Sequence, residues 1–178
     1  MVRLRTLTAG VIMLVKNIVE EDFVNYKMPS MFIATCFCDW KCCIEQNINI
    51  DICQNAEIIK QSNIFIDNFE IYHRYISNPI TKAIVIGGLE PIKQFDDIYN
   101  LIKLFRNNGC NDNFVIYTGY YPNEIQDQLE LLKPLKNIVF KFGRYIPNQE
   151  KHYDEILGIS LVSNNQYGEV ICYWGNSK

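Results

Sequence analysis

The sequence predicts an α/β fold in which a parallel sheet and its crossover helices form a partial, open (β/α) barrel within a single domain. Short apolar runs typical of buried strands alternate along the chain with segments whose apolar residues recur at helical spacing. Such alternation favours parallel strands joined by right-handed crossovers. A closed eight-unit barrel needs roughly 250 residues. Because the chain has 178 residues, we expect the barrel to be open.

The first 27 residues are predicted to be an N-terminal tail and a lead-in strand, with the barrel domain covering residues 28–178. The apolar run at residues 11–15 is the lead-in strand. The next buried strand is predicted at residues 31–34, shortly after Pro29. This strand leads directly into the most cysteine-rich part of the chain.

Apolar runs and helical patterns continue to alternate through the rest of the chain. Asp67 is a favourable N-cap for one helix, and Pro122 stands near the start of another. Apolar residues spaced from Phe95 to Phe105 predict a helix between them. The predicted strands are residues 83–86, 114–117, 138–141 and 156–162, and the predicted helices are residues 67–76, 95–107 and 122–132.

The composition is that of a globular protein and argues against nucleic-acid and membrane partners. Apolar residues make up 48% of the chain, enough for a substantial core. The net charge is -3, and no run of lysines or arginines offers a nucleic-acid contact. No apolar stretch approaches the length of a membrane span, about 20 residues. The N-terminus lacks a small-residue cleavage site after its apolar run, so we expect a cytoplasmic protein.

Residues 35–55, here called the cysteine loop, contain five of the seven cysteines. In a cytoplasmic chain, clustered cysteines favour a metal site over disulfides. Thiolates suit both tetrahedral zinc and iron–sulfur clusters. Cys38 and Cys42 enclose a three-residue gap, and Glu45 stands where a further cysteine two residues on would complete a cluster motif. The cysteine loop alone therefore indicates a metal site without identifying the metal.

Glycine-rich or polar segments follow several of the predicted strands. They are Gly-Gly-Leu-Glu-Pro at residues 87–91, Thr-Gly-Tyr at residues 118–120 and Gly-Arg-Tyr at residues 143–145. The carboxyl ends of parallel strands meet at one edge of a sheet, where functional sites gather. We therefore expect these segments and the cysteine loop to form one site.

With these segments in order, the chain resembles the radical SAM superfamily, and within it the activating proteins of anaerobic (class III) ribonucleoside-triphosphate reductases. The resemblance spans about residues 28–168. Cys38 and Cys42 match the first two cluster cysteines of that family. Cys53, which is followed by Gln-Asn, resembles the third.

Later segments extend the resemblance. Residues 88–91, Gly-Leu-Glu-Pro, are similar to the Gly-Gly-Glu-Pro turn that meets the methionyl amine of S-adenosylmethionine in this family. Residues 117–120, Tyr-Thr-Gly-Tyr, resemble its Trp-Thr-Gly-Tyr. Residues 143–145 and 163–166 resemble its Gly-[Arg/Lys]-Phe and Ser-Ser-Asn-Gln segments. The cofactor-binding residues that the resemblance implies are Gly87, Gly88, Glu90, Pro91, Thr118, Gly119, Tyr120 and Asn164.

The chain departs from the family pattern at two places, and each leaves two alternatives. The third cluster cysteine is either Cys53, separated from the second by ten residues, or Cys43, directly beside it. We favour Cys53, because neighbouring cysteines bind one cluster only with strained geometry. Leu89 either replaces the second glycine of the turn, where its side chain would crowd the ligand, or is inserted after the pair Gly87 and Gly88.

The resemblance implies a radical enzyme with a 4Fe-4S cluster held by three thiolates and a fourth iron that binds S-adenosylmethionine. Such an enzyme forms a 5′-deoxyadenosyl radical, and here it would install a glycyl radical on an anaerobic ribonucleotide reductase. A flavodoxin or ferredoxin is the implied electron donor. Two alternatives stay open: a radical SAM enzyme that acts on a small molecule or peptide, and a non-catalytic iron–sulfur or zinc binding module.

Overall fold

The computed structural model describes residues 11–172, and the predicted tail at residues 1–10 lies outside this range. A six-stranded sheet runs through the molecule, and helices cover one of its faces. The strands are β1 Ile12–Val15, β2 Asn17–Asp22, β3 Ser30–Thr35, β4 Ile64–Asp67, β5 Ala83–Gly88, β6 Asn113–Tyr117, β7 Ile138–Phe142, β8 His152–Asp154, β9 Ile159–Leu161 and β10 Tyr167–Cys172. The helices are α1 Lys41–Gln46, α2 Ala56–Ile59, α3 Asn68–Ser77, α4 Phe95–Asn107 and α5 Gln126–Leu132.

The predicted partial, open parallel (β/α) barrel is wrong, because the main sheet is mixed. Its strand order is β10-β7-β6-β5-β3-β2. The four inner strands β3, β5, β6 and β7 are parallel. At the two edges, however, β2 pairs antiparallel with β3, and β10 pairs antiparallel with β7. Antiparallel strands thus end the sheet on both sides, where a barrel would continue with further parallel units.

The physical reason for this error is that an apolar pattern predicts a strand but not its direction. β2 alternates between exposed and partly buried residues and reads as a polar segment in the sequence. It turns back into β3 after only seven residues, too few for the crossover that parallel strands need. The predicted strand at residues 156–162 is confined to β9, which forms a separate hairpin with β8. The lead-in strand β1 pairs with β4, also outside the main sheet.

Side chains of the inner strands are buried on both faces, which explains why these strands read as continuous apolar runs. In β5, Ile84 and Ile86 face a cluster formed with the helices, and Ala83 and Val85 face a second cluster. The first cluster includes residues of α3 and α4 such as Ile71, Leu101 and Phe105. The second is closed by Tyr26, Leu157 and Leu161, from the β2–β3 connection and the β8–β9 region. The period-2 alternation of strands thus builds two cores on one sheet.

No helix within residues 11–172 is both long enough and apolar enough to cross a membrane.

Candidate metal centre

The cysteine loop begins at the carboxyl end of β3, where hydrogen bonds fix it to the neighbouring elements. The hydroxyl of Thr35 donates to the carbonyl of Gly87 at 2.9 Å. The backbone N–H of Cys36 donates to Gln94 Oε1 at 2.6 Å, and Gln94 Nε2 donates to the carbonyl of Leu14 at 2.8 Å. The loop therefore leaves the sheet from a fixed point.

A short helix then carries two of the cysteines. Trp40 has φ 58°, in the left-handed region, and its backbone N–H donates to Cys38 Sγ at 3.3 Å. The chain next forms α1, which contains Cys42 and Cys43 and is followed by Asn47, again with positive φ. A 3₁₀ turn at Ile50–Ile52 returns the chain to Cys53. The ten-residue spacing between the second and third predicted ligands is thus an excursion that leaves the site and comes back.

The sulfur atoms of Cys42, Cys43 and Cys53 all lie within 4.8 Å of one another. The Sγ atoms of Cys42 and Cys43 are 3.9 Å apart. This close group includes Cys43, which is only 2% exposed, and does not include Cys38. The cysteines that line a pocket are Cys38, Cys42 and Cys53. Within the described part of the chain, the thiols of Cys36, Cys38, Cys42, Cys43, Cys53 and Cys110 are all free.

The pocket has a volume of about 350 Å³, within the range of roughly 300–1,000 Å³ that is usual for small-molecule sites. Cys38, Cys42 and Cys53 form one side, here called the loop wall. Residues 88–90 and 118–119, which follow β5 and β6, form the facing side, here called the strand wall. The cysteine loop and the segments that follow β5, β6 and β7 therefore all line this one pocket.

The strand wall depends on a glycine at its first turn. Gly88 has φ +84°, and a Cβ atom there would lie 2.9 Å from the Cβ of Ala34. Both conditions exclude a larger residue. Leu89 follows, is 9% exposed as a residue and lines the pocket. The next backbone N–H, that of Glu90, donates to the carbonyl of Phe37 at 2.7 Å and so joins the strand wall to the cysteine loop.

The carboxylate of Glu90 connects the ends of β5 and β6. It accepts hydrogen bonds from Thr118 Oγ1 at 2.7 Å, from the N–H of Gly119 at 2.9 Å and from the N–H of Ile92 at 3.1 Å. Glu90 is 6% exposed, and this burial raises the pKa of its carboxyl group. Three donors aimed at one carboxylate hold the strand wall in place.

A comparison with known protein families decides the class of metal. The family model described as "4Fe-4S single cluster domain" matches residues 28–166, which is most of the chain. The chain belongs to this family. Its cysteine loop and strand wall both lie inside the matched segment. No curated protein is a significant match to the chain.

The residues present fit the iron–sulfur cluster that membership of the 4Fe-4S single cluster domain family implies. Soft thiolates are the ligands that such clusters use, and three of them face an open pocket. Burial raises the pKa of Cys38 to about 12. A hydrogen bond between Cys42 and Cys53 raises the pKa of the first and lowers that of the second to about 6. Without a metal, Cys38 and Cys42 therefore retain their protons at neutral pH, and cluster binding would release them.

The remaining predicted cofactor residues of this 4Fe-4S protein occupy different surroundings. Gly88, Glu90, Thr118 and Gly119 line the pocket. Gly87 lies within β5, and Pro91 is buried at the start of a 3₁₀ turn. The hydroxyl of Tyr120 donates to Asp39 of the cysteine loop, and both residues line a second, smaller cavity. Asn164 is exposed, and its backbone N–H donates to Gln149.

The sequence did not single out two charged residues that the fold of this 4Fe-4S domain brings to the site. Lys141, near the end of β7, lines the pocket, and burial lowers its pKa to about 8. Arg144 is 4% exposed and lies beside the cysteine loop. A lysine inside the apolar run of β7 is an unusual feature that could have indicated the first. Arg144 belongs to the Gly-Arg-Tyr segment at residues 143–145, which the resemblance included without assigning a role to the arginine.

Arg144 joins three elements around the loop wall. Its Nη1 and Nη2 atoms donate to Glu124 at 2.9 and 2.7 Å. Its Nε atom lies 2.8 Å from Glu45 Oε2, on α1, and Lys41 of α1 also pairs with Glu124. The guanidinium lies 5.0 Å from the ring centre of Tyr121. These contacts bind the helix that carries Cys42 to the carboxyl edge of the sheet.

Proposed function

We propose that this protein is a radical enzyme that uses its 4Fe-4S cluster together with S-adenosylmethionine. The observation that carries the proposal is the pocket between the loop wall and the strand wall. A cluster on three thiolates keeps one iron free for a ligand, and the pocket gives a ligand access to that position. The resemblance of the strand-end segments to the radical SAM superfamily supports the same assignment.

The three proposed cluster ligands are Cys38, Cys42 and Cys53. Their shared exposure to the pocket supports Cys53 over Cys43, because an iron with a free position must face the space that the ligand occupies. When bound, the cluster supplies the electron that cleaves S-adenosylmethionine into methionine and a 5′-deoxyadenosyl radical. The chain's own residues bind the cluster, orient the ligand and limit the entry of water.

Each part of the strand wall has a proposed task. The backbone around Gly88 lies against the methionyl group, and it keeps that position only without a side chain, because a Cβ atom there would collide with Ala34. Glu90 does not need to touch the ligand, since its carboxylate already holds Thr118 and Gly119 in place. Trp40, Leu89 and Tyr117 supply apolar surface that displaces water from the reacting bond.

The proposed substrate is a protein, the glycyl-radical subunit of an anaerobic ribonucleotide reductase, with a flavodoxin or ferredoxin as electron donor. The resemblance of the later segments supports this choice. Apolar surface beside the pocket supports it as well: Val24 lines the pocket and is 73% exposed, and its neighbour Phe23 is 61% exposed. A protein that delivers a backbone glycine would cover such residues.

The second candidate is a non-catalytic cluster-binding module, and one observation favours it. Leu89 lines the pocket at the position where the resemblance would place a glycine. If Leu89 blocks the ligand, wild-type protein will not bind S-adenosylmethionine and Leu89→Gly will gain binding. If the turn accommodates Leu89, wild-type protein will bind and Leu89→Gly will weaken the turn.

The deciding experiment is the reductive cleavage of S-adenosylmethionine by protein whose cluster has been reconstituted without oxygen. We expect 5′-deoxyadenosine and methionine in equal amounts after addition of a strong reductant, measured by chromatography. Cys38→Ala should abolish the products, and Cys110→Ala, a cysteine outside the pocket wall, should not. A fully cluster-loaded wild-type protein that forms no 5′-deoxyadenosine would overturn the proposal in favour of the module.

A further inference from the structure

Cys43 is a cysteine that the proposed cluster does not use, although its sulfur lies close to two of the proposed cluster ligands. The Sγ atoms of Cys42, Cys43 and Cys53, here called the thiol trio, all lie within 4.8 Å of one another. A buried free cysteine usually packs as a small hydrophobic residue. Cys43 is buried, but its sulfur stands beside two thiols that line the pocket. Packing alone therefore does not account for its position.

The spacing of the thiol trio fits a single metal ion. A Zn–S bond is about 2.3 Å long, so two sulfur atoms that bind one zinc ion at the tetrahedral angle lie about 3.8 Å apart. The Sγ atoms of Cys42 and Cys43 are already 3.9 Å apart, and the 4.8 Å limit on the other pairs leaves only a small movement. In a 4Fe-4S cluster each cysteine binds a different iron, so the ligand sulfur atoms must stand farther apart.

The thiol trio and the proposed cluster share two ligands and differ in the third. Cys38 does not belong to the trio, and its Sγ atom accepts a hydrogen bond from the backbone N–H of Trp40 at 3.3 Å. An ion can reach the trio through the pocket, because Cys42 and Cys53 line it. Water from the pocket can then supply the fourth ligand of a tetrahedral zinc ion.

We propose that the cluster-free protein binds one zinc ion through the thiolates of Cys42, Cys43 and Cys53. Soft thiolates select zinc, and a given site generally binds Zn²⁺ more tightly than Fe²⁺. Binding displaces the remaining thiol protons to solvent and changes no oxidation state. Because Cys42 and Cys53 are shared, the zinc site and the cluster exclude each other. The inference concerns the chain without its cluster and does not depend on the chemistry of S-adenosylmethionine.

The test uses Co²⁺ as a spectroscopic probe of the zinc site and Zn²⁺ as its competitor. Metal-free, reduced protein is titrated with Co²⁺ without oxygen, and the intensity of the sulfur-to-cobalt absorption counts the thiolates that bind. We expect one Co²⁺ per chain, bound by three thiolates and displaced by an equal amount of Zn²⁺. Cys43→Ala should reduce the count to two. It should weaken zinc binding by at least about 10- to 100-fold, the loss that removal of an outer-shell partner alone can cause.

Variants with opposite effects separate the two sites. Cys38→Ala should lose the cluster, measured as iron and sulfide after anaerobic reconstitution, and should leave the zinc affinity unchanged. Cys43→Ala should retain the cluster. Cys53→Ala should lose both; because Cys53 is only partly buried, this variant and Cys38→Ala together test the trio even if the Cys43 position does not tolerate alanine. Cys110→Ala, outside the site, should change neither.

Three results would overturn the inference. If Cys43→Ala binds Co²⁺ with three thiolates as the wild type does, the ion lies on the proposed cluster ligands themselves. Loss of one thiolate in Cys38→Ala would assign the ion to that same set. Absence of the sulfur-to-cobalt absorption in the wild type would show that the thiol trio holds no ion. None of these results bears on the cleavage of S-adenosylmethionine, so the proposed function stands or falls separately.

Discussion

The two sides of the pocket differ in what holds them in place. The strand wall follows directly from two buried parallel strands, and short hydrogen bonds to Glu90 join its parts. The loop wall lies on a six-residue helix between two residues of positive φ, Trp40 and Asn47. Ion pairs from Arg144 connect that helix to the sheet. Hydrogen bonds close to the sheet therefore hold the strand wall, whereas the loop wall depends on ion pairs between side chains.

The largest expected effect concerns the loop wall and tests the third cluster ligand. Cys53→Ala should lose the cluster, since it removes one of three pocket-facing thiols, and Cys43→Ala should retain it. The measurement is iron and sulfide content after anaerobic reconstitution, together with the visible absorption of the cluster. Cys110→Ala serves as the matched control away from the site. The reverse pattern between Cys43 and Cys53 would show that the ligand set is Cys38, Cys42 and Cys43.

The second effect tests whether Arg144 holds the loop wall. Breaking a buried ion pair costs about 3–5 kcal/mol. Because the carboxylates of Glu124 and Glu45 keep some contact with water, Arg144→Met should lower the free energy of unfolding of the cluster-free protein by about 2–3 kcal/mol. The same variant should lose iron faster than the wild type when a chelator is added. Urea unfolding and the rate of iron release provide the two measurements.

Arg74 provides the control for this prediction. It pairs with Glu20 and Glu70 at the surface, and all three side chains are substantially exposed. Exposed pairs contribute about 0–1 kcal/mol, so Arg74→Met should have a small effect on unfolding and none on iron release. If Arg144→Met behaves like Arg74→Met, the loop wall does not depend on this ion-pair network.

The third effect tests the strand wall. Gly88 and Gly109 have nearly the same positive φ, +84° and +82°, but a Cβ atom would contact Ala34 only at Gly88. Gly109→Ala should therefore report the backbone strain alone, about 1 kcal/mol. Gly88→Ala should cost roughly 1–3 kcal/mol more because of the added contact. Equal losses in urea unfolding would show that the backbone of the strand wall moves freely enough to admit a side chain.

The sequence predicts more of the strand wall than of the elements around it. Apolar runs identified the cores of β3, β5, β6 and β7 because these strands are buried on both faces. Residues such as Gly88 and Thr118 directly follow those strands, and so their shared edge could be inferred. The antiparallel direction of the edge strands β2 and β10 could not be inferred, since a residue pattern does not encode strand direction. The predicted barrel was wrong for this reason.

Residues that act across long sequence distances were beyond prediction. Arg144 meets Glu45 and Glu124 only because the fold brings α1, a 3₁₀ turn and the end of β7 together. Lys141 belongs to no motif, and its place in the pocket wall depends on which face of β7 borders the pocket. Distant charges of this kind carry no local signal, whereas glycines and cysteines at strand ends do.

The smallest expected effect is the pH dependence that Glu124 contributes. Hydrogen bonds from Arg144 lower the pKa of the Glu124 carboxyl to about 2, below the usual value of about 4.3. A lowered pKa in the folded state means that the contribution is present at neutral pH and is lost as the pH falls from about 5 towards 2. We expect the loss to be about 1–2 kcal/mol, since Glu124 keeps partial contact with solvent. Urea unfolding at a series of pH values should show this decline in the cluster-free wild type and a shallower one in Glu124→Gln. Arg144→Met should show the same shallower slope, because it removes the cation that lowers the pKa. A decline in both variants as steep as that of the wild type would assign the acid sensitivity to other carboxyl groups and would remove Glu124 from the network that supports the loop wall.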